Sequence, residues 1–309
     1  MTKRVGRWCL VMAAAAWACN EGNGDEGVDD GGAGDLAETA DEGGGADDAA
    51  APDEGGGTED GTAADVTPGD PMPDDTRILY IHHSTGGVIW GGGVPEGVTA
   101  YNAANGTSYD ISERAFPSGD PYPWENYPYD YWNIWVNHAG SVAYMEEPTL
   151  EMLTPDYGVI VFKHCFPVSG IGADTGSPDI ASSDKTIENY RLQYAALKAK
   201  LHEFPGNRFL VWTGAALTAA STSTEEAARA REFFTWVKNE WDEPGDNIFV
   251  WDFFELETEG GNVLLDSNAA SSGDSHPNDA FAERVAPFFV SRLVSVIVGT
   301  GDSTSLTGE

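Results

Sequence analysis

The chain has 309 residues, of which 51 are Asp or Glu and 16 are Lys or Arg, for a formal net charge of −35. That charge excludes a phosphate-neutralising surface, so nucleic acid is not expected as a partner. The three cysteines, at positions 9, 19 and 165, exclude a disulfide-stapled scaffold.

Residues 1–19 read as a secretory signal. Lys3, Arg4 and Arg7 are followed by an apolar stretch, Trp8 to Ala18, too short to cross a bilayer as a helix. The stretch closes on Ala16-Trp17-Ala18-Cys19 and resembles the lipobox of bacterial lipoproteins, which implies lipidation at Cys19. The protein is then expected to be exported and lipid-anchored to the bacterial cell envelope, on its periplasmic face or outer surface. Residues 20–76 contain 19 Asp and Glu and no Lys or Arg, among many Gly and Ala. Such a segment cannot bury enough apolar surface to offset its ordering entropy and reads as a disordered, self-repelling spacer. Residues 77–309 keep a net charge of −19 and are long enough for one α/β domain.

Within that domain, apolar runs alternate with helical patterns. Residues 78–81 form a strand, residues 109–111 a weaker one, and 158–162 a buried one. Residues 184–204 are helical, with Ile187, Tyr190, Tyr194, Leu197 and Leu201 at helical spacing and Pro205-Gly206 as the stop. A strand at 209–212 precedes a helix at 224–241, with Ser223 or Thr224 as N-cap. A strand at 248–251 and a final amphipathic helix at 279–298 complete the pattern. The alternation predicts an α/β fold, a three-layer α/β/α sandwich around a mostly parallel sheet of flavodoxin-like type. Ligands of such sheets bind beyond the carboxyl ends of the strands.

Two segments at opposite ends of the domain carry the chemistry. Arg77-Ile-Leu-Tyr-Ile-His-His-Ser84-Thr-Gly-Gly87 is a strand that stops at a serine followed by glycines. Gly273-Asp274-Ser-His276-Pro-Asn278 sets a carboxylate beside an imidazole in a loop before the last helix. A serine hydroxyl is a weak nucleophile unless an oriented base stands next to it. Ser84 is the candidate nucleophile, His276 the general base, and Asp274 the group that orients the imidazole; Asp252 and Asp266 are alternatives for that carboxylate. In an extended chain, residues i and i+2 point the same way, so Asp274 can reach His276. Gly86 and Gly87 permit close backbone approach, and their amides could face a developing oxyanion. His164, at the end of the third strand, could donate a neutral imidazole N–H there or be a hydrogen-bonded core residue. Lys163 could assist electrostatically or be solvated. Cys165 reads as a buried small residue. The aromatic segment 121–135 either packs over the sheet or leaves rings such as Tyr122 and Trp124 at the cleft, next to Asp120.

This order of parts resembles the SGNH/GDSL hydrolases. The resemblance spans residues 77–309 in element order and is specific at the Ser84 and Asp274–His276 blocks. It implies an acyl-serine mechanism without a cofactor, and an oxyanion hole to which Gly119 contributes its amide. It implies a small-molecule or glycan ester substrate, often an acetyl ester on carbohydrate. Trp124, Tyr122, Asp120 and Lys163 are the candidate substrate-binding residues, read from their own chemistry. The chain departs from the family in two places: Asp274-Ser-His276 is one residue shorter than the family's Asp-x-x-His, and Phe162-Lys163-His164-Cys165 stands where the family has an asparagine after the third strand. Two other readings remain: a non-catalytic surface module that holds glycans on the same scaffold, and a metal-dependent hydrolase using His82, His83 or His276. No protein partner is inferred.

Overall fold

The computed structural model describes residues 69–123 and 126–309. The signal segment with Cys19, most of the acidic spacer, and Trp124 lie outside the described residues. Five strands form the sheet: β1 (Arg77–His82), β2 (Asp110–Ala115), β3 (Val159–Phe162), β4 (Arg208–Trp212) and β5 (Ile248–Trp251). All pair in parallel, in the order β2-β1-β3-β4-β5. Parallel strands need crossover connections, and helices supply them on both faces.

One face of the sheet carries Ile78, Tyr80, Val159, Val161, Leu210, Trp212, Phe249 and Trp251. It packs against α1 (Ser84–Gly91), α2 (Val94–Asn105) and α8 (Asp279–Ile297) through residues such as Ile89, Val98 and Phe289. The alternate residues, Leu79, Ile81, Ile160, Phe162, Phe209 and Val211, face α3 (Pro128–Trp132), α5 (Ile187–Leu201) and α6 (Thr224–Trp236). Period-two alternation with both faces buried is why β3 and β5 are apolar at every position. The expected three-layer α/β/α architecture is therefore present. Two short helices, α4 (Leu150–Leu153) and α7 (Phe253–Thr258), close loops after β2 and β5.

Several boundaries differ from the sequence reading. The folded region starts before Arg77: Met72 is buried, its N–H donates to Ile297, and Arg208 reaches the Asp70 carbonyl. The acidic composition hid one apolar anchor. β2 runs to Ala115 because its register with β1 continues along the whole of that strand, although its own residues are largely exposed. Helix α2 was not legible, because Gly93, Pro95 and Gly97 obscure its period. Gly93 is nevertheless its N-cap, with φ of +112°, a conformation that favours glycine. Ser223 is the N-cap of α6, in a capping box with Glu226. The Asp274–His276 segment is a strand rather than a loop: β7 (Asp274–Pro277) pairs antiparallel with β6 (Ala269–Ser271).

Candidate active site

The strand order places β1 and β3 side by side at the centre of the sheet, and their chains leave toward opposite faces. A crevice opens at such a switch point, beyond the carboxyl ends of the two strands. Ser84 follows β1 and Cys165 follows β3, so both stand at that crevice.

β1 ends at His82, and His83 is the N-cap of α1, which makes Ser84 its first residue. Ser84 is exposed, while Thr85 and Gly86 behind it are buried. Gly86 is required by packing: a Cβ there would collide with the His82 side chain and the Tyr80 hydroxyl. Its amide is not available to an oxyanion, because it donates to the His83 carbonyl at 2.7 Å. That corrects the oxyanion role expected for Gly86; the glycine lets α1 lie close on β1.

Asp274 and His276 come together as extended geometry requires. His276 Nδ1 donates to Asp274 Oδ1 at 2.6 Å, and the His276 backbone N–H donates to the same oxygen at 3.0 Å. Burial alone would push the Asp274 carboxyl up, but the bonds and charge of His276 outweigh it and hold the carboxyl below its ordinary range. β7 packs against α1, and the His276 ring stands edge-on to Phe166, with 5.0 Å between centroids. Phe166 adjoins Cys165, whose Sγ is 2.9 Å from Ser84 Oγ. The strand that carries Asp274 and His276 thus lies against the helix that begins at Ser84. The hydrogen bond that Ser84 makes there is to Cys165. The alternative carboxylate Asp252 is committed elsewhere, capping α7 and accepting from Lys238 at 2.5 Å and Thr213 at 2.8 Å.

Beneath Ser84 is a buried polar floor. Lys163 is 0% exposed, so it is neither solvated nor open to a substrate as expected from the sequence. Its Nζ donates to the His83 carbonyl at 3.4 Å, and its charge acts on the Cys165 sulfur. Burial pulls the Lys163 ammonium below its ordinary range. Burial pushes the Cys165 thiol up, but Lys163, the Ser84 hydroxyl and the Thr85 amide outweigh it and hold the thiol below the usual range. Glu257, also fully buried, accepts from the Ala216 amide at 2.6 Å; burial drives its carboxyl well upward.

His164 is not at the crevice. Its ring is 0% exposed, stands edge-on to Tyr131 and is bonded at Nε2 to the Tyr194 hydroxyl at 2.9 Å. Alternation past the strand end turns Lys163 toward α1 and His164 into the opposite core, which removes His164 from the oxyanion role. Burial pulls its imidazole down to about 3, so it is neutral. Tyr122 is also a core residue: its hydroxyl donates to Asp130 at 3.0 Å and accepts from Asn133 at 3.1 Å. With Tyr127, Tyr131 and Trp135 buried beside it, the described rings of the aromatic segment pack over the sheet and do not line a cleft. Asp120 remains exposed.

The loop after β2 is held from below. His83 Nε2 donates to the Pro117 carbonyl, and the Ser118 N–H and hydroxyl both donate to Glu147, which is fully buried. Gly119 follows with φ of +110°, and its carbonyl accepts from the Tyr122 amide at 2.8 Å. Asn126 clamps this loop to the β3 end: its side chain donates to the Phe116 carbonyl at 2.9 Å and accepts from the Cys165 amide. His82 and His83 have separate partners, Glu113 at 2.8 Å for the former and Pro117 for the latter, so they do not converge. Among the described residues no three His, Cys, Asp or Glu side chains gather as a metal-binding group. Sequence reasoning missed Cys165, Glu147 and Asn126; the one available signal was Lys163 and Cys165 flanking a histidine at a strand end.

No protein-family model and no curated protein matches the chain. Among solved structures, it is similar to the acetyl xylan esterase AlAXEase at 14% identity and a TM-score of 0.43, covering 68% of this chain and 96% of that one. It is also similar to a gut microbial diltiazem-metabolizing enzyme at 10% identity and a TM-score of 0.42, covering 78% of this chain and 49% of that one.

Proposed function

We propose that the chain is an exported serine esterase of SGNH type. It hydrolyses acyl esters, acetyl esters on carbohydrate foremost, through an acyl-Ser84 intermediate. The observation that carries this reading is the exposed Ser84 at the switch-point crevice, on a helix packed against the strand that presents the bonded Asp274–His276 pair. Ser84 Oγ attacks the ester carbonyl, and His276, oriented by Asp274, manages protons at the leaving alcohol and the incoming water. The Gly119 amide is assigned to the oxyanion. Export and anchoring at Cys19 would place the site on the envelope.

Hydrolysis of p-nitrophenyl acetate by the full chain tests the reading, with Ser84→Ala and His276→Ala alongside. Loss in both variants, with unchanged circular dichroism, supports it. Activity that survives Ser84→Ala refutes it. Cys19→Ala is expected to release the protein from the membrane fraction.

A further inference from the structure

The hydrogen-bond partner of Ser84 is the Cys165 sulfur, and polar groups converge on that sulfur. Ser84 Oγ is 2.9 Å away and Thr85 Oγ1 is 3.7 Å away, and the field of the buried Lys163 ammonium and the Thr85 amide favours its charged form. A neutral thiol gains little from such a set, because it is a weak acceptor. A thiolate at the amino end of a helix, beside an ammonium, is what the set fits. The charges around it agree. Lys163 is the cation whose charge acts on the sulfur, while Glu257 acts on both and Tyr80 and Tyr131 face it from the two sides of the sheet. Burial drives the Glu257 carboxyl well upward, so Glu257 is the group that stays protonated. A buried lysine would be costly in a purely structural setting, since the hydrogen bond Lys163 makes is one long contact to the His83 carbonyl.

We propose that Cys165, backed by Lys163, is the catalytic base for Ser84, and that the Asp274–His276 pair serves the leaving alcohol and the water. This rests on the serine esterase reading. In acylation the Ser84 O–H proton moves to the Cys165 sulfur as Oγ bonds to the ester carbon. The bond to the alcohol oxygen then breaks, and protonated His276 supplies the alcohol's hydrogen. In deacylation neutral His276 takes a proton from water as its oxygen bonds to the acyl carbon. The bond to Ser84 Oγ breaks, and Cys165 returns its proton to that oxygen. One ester and one water yield one acid and one alcohol, and both bases regain their starting states.

A fluorophosphonate probe separates the two bases, because fluoride leaves without a proton donor, so labelling reads activation of the serine alone. With the full chain, labelling is expected at Ser84. It should slow about 100-fold in Cys165→Ala. It should slow similarly in Cys165→Ser, which preserves shape and a hydrogen-bonding atom but is too weakly acidic to act as the base. His276→Ala should label within about threefold of the parent while its ester turnover falls about 100-fold. Labelling lost in His276→Ala, or retained in Cys165→Ser, overturns the proposal. A parent chain that does not label at Ser84 overturns the serine esterase reading itself.

Discussion

Among the described residues, the cations that are about 1% exposed or less are of two kinds. Arg208 and Arg292 are each about 1% exposed and discharge onto backbone carbonyls. Arg208 bonds the Val296, Ile297 and Asp70 carbonyls, which ties the last turn of α8 to the start of the fold. Arg292 donates to the Val250 carbonyl at 2.8 Å, the Gly301 carbonyl at 2.5 Å and Thr304 at 2.9 Å, which fastens the C-terminal tail along β5. A guanidinium has five donors in a rigid fork, and here they are spent on carbonyls that would otherwise be orphaned. Lys163, equally buried, has one long contact to the His83 carbonyl and lies beside the Cys165 sulfur instead. The first arrangement holds the fold together; in the mechanism proposed above, the second holds charge in reserve for the reaction.

The largest expected effect is at the site this charge serves. Ser84→Ala should cut ester turnover by about 1000-fold or more while leaving the melting temperature unchanged, because Ser84 is exposed and its removal opens no cavity. Lys163→Met should lower turnover by about 100-fold with a melting temperature equal to or above that of the parent, since an apolar chain of similar length removes a buried charge. If Lys163→Met instead unfolds the chain and spares activity per folded molecule, the lysine belongs with the arginines and the contrast fails. Arg292→Met should do the opposite of Lys163→Met. It leaves buried carbonyls unpaired at about 1–3 kcal/mol each, seen as a lower denaturant midpoint, with turnover per folded molecule retained.

The smallest effect concerns Asp242, whose carboxyl lies in the field of Arg292. Burial pushes it up from 3.8 to about 7, and Asp246 and Asp302 add to the rise against the pull of Arg292. The folded chain therefore holds a proton that the unfolded chain has lost between those values. Stability from this group is present below about pH 4 and is lost as pH rises through about 7. Asp242→Asn should melt with the parent at pH 4 and a few degrees above it at pH 8.

The sequence showed the sheet well because parallel strands buried on both faces are apolar throughout, as in Val159–Phe162 and Ile248–Trp251. It showed Asp274 and His276 together because their approach is local and follows from extended spacing. It did not show Cys165 against Ser84, since that contact joins strand ends 81 residues apart and depends on which strands are neighbours. Nor did it show on which side Lys163 and His164 would fall. Alternation beyond the end of β3 decided that one faces the His83 carbonyl, next to Ser84, and the other Tyr194. For Tyr122 the sequence left open a place at the cleft or in the core, and the structure settles it for a related reason: Asp130 and Asn133 satisfy its hydroxyl inside the core.

The most direct test is to trap the intermediate. The full-length His276→Ala variant, mixed with p-nitrophenyl acetate and quenched, is digested and its peptides are weighed. Acylation needs no acid for so good a leaving group, whereas deacylation needs His276, so acetyl should accumulate on the peptide that carries Ser84. Absence of acetyl-Ser84, with hydrolysis in Ser84→Ala equal to that of the parent, would contradict the serine mechanism.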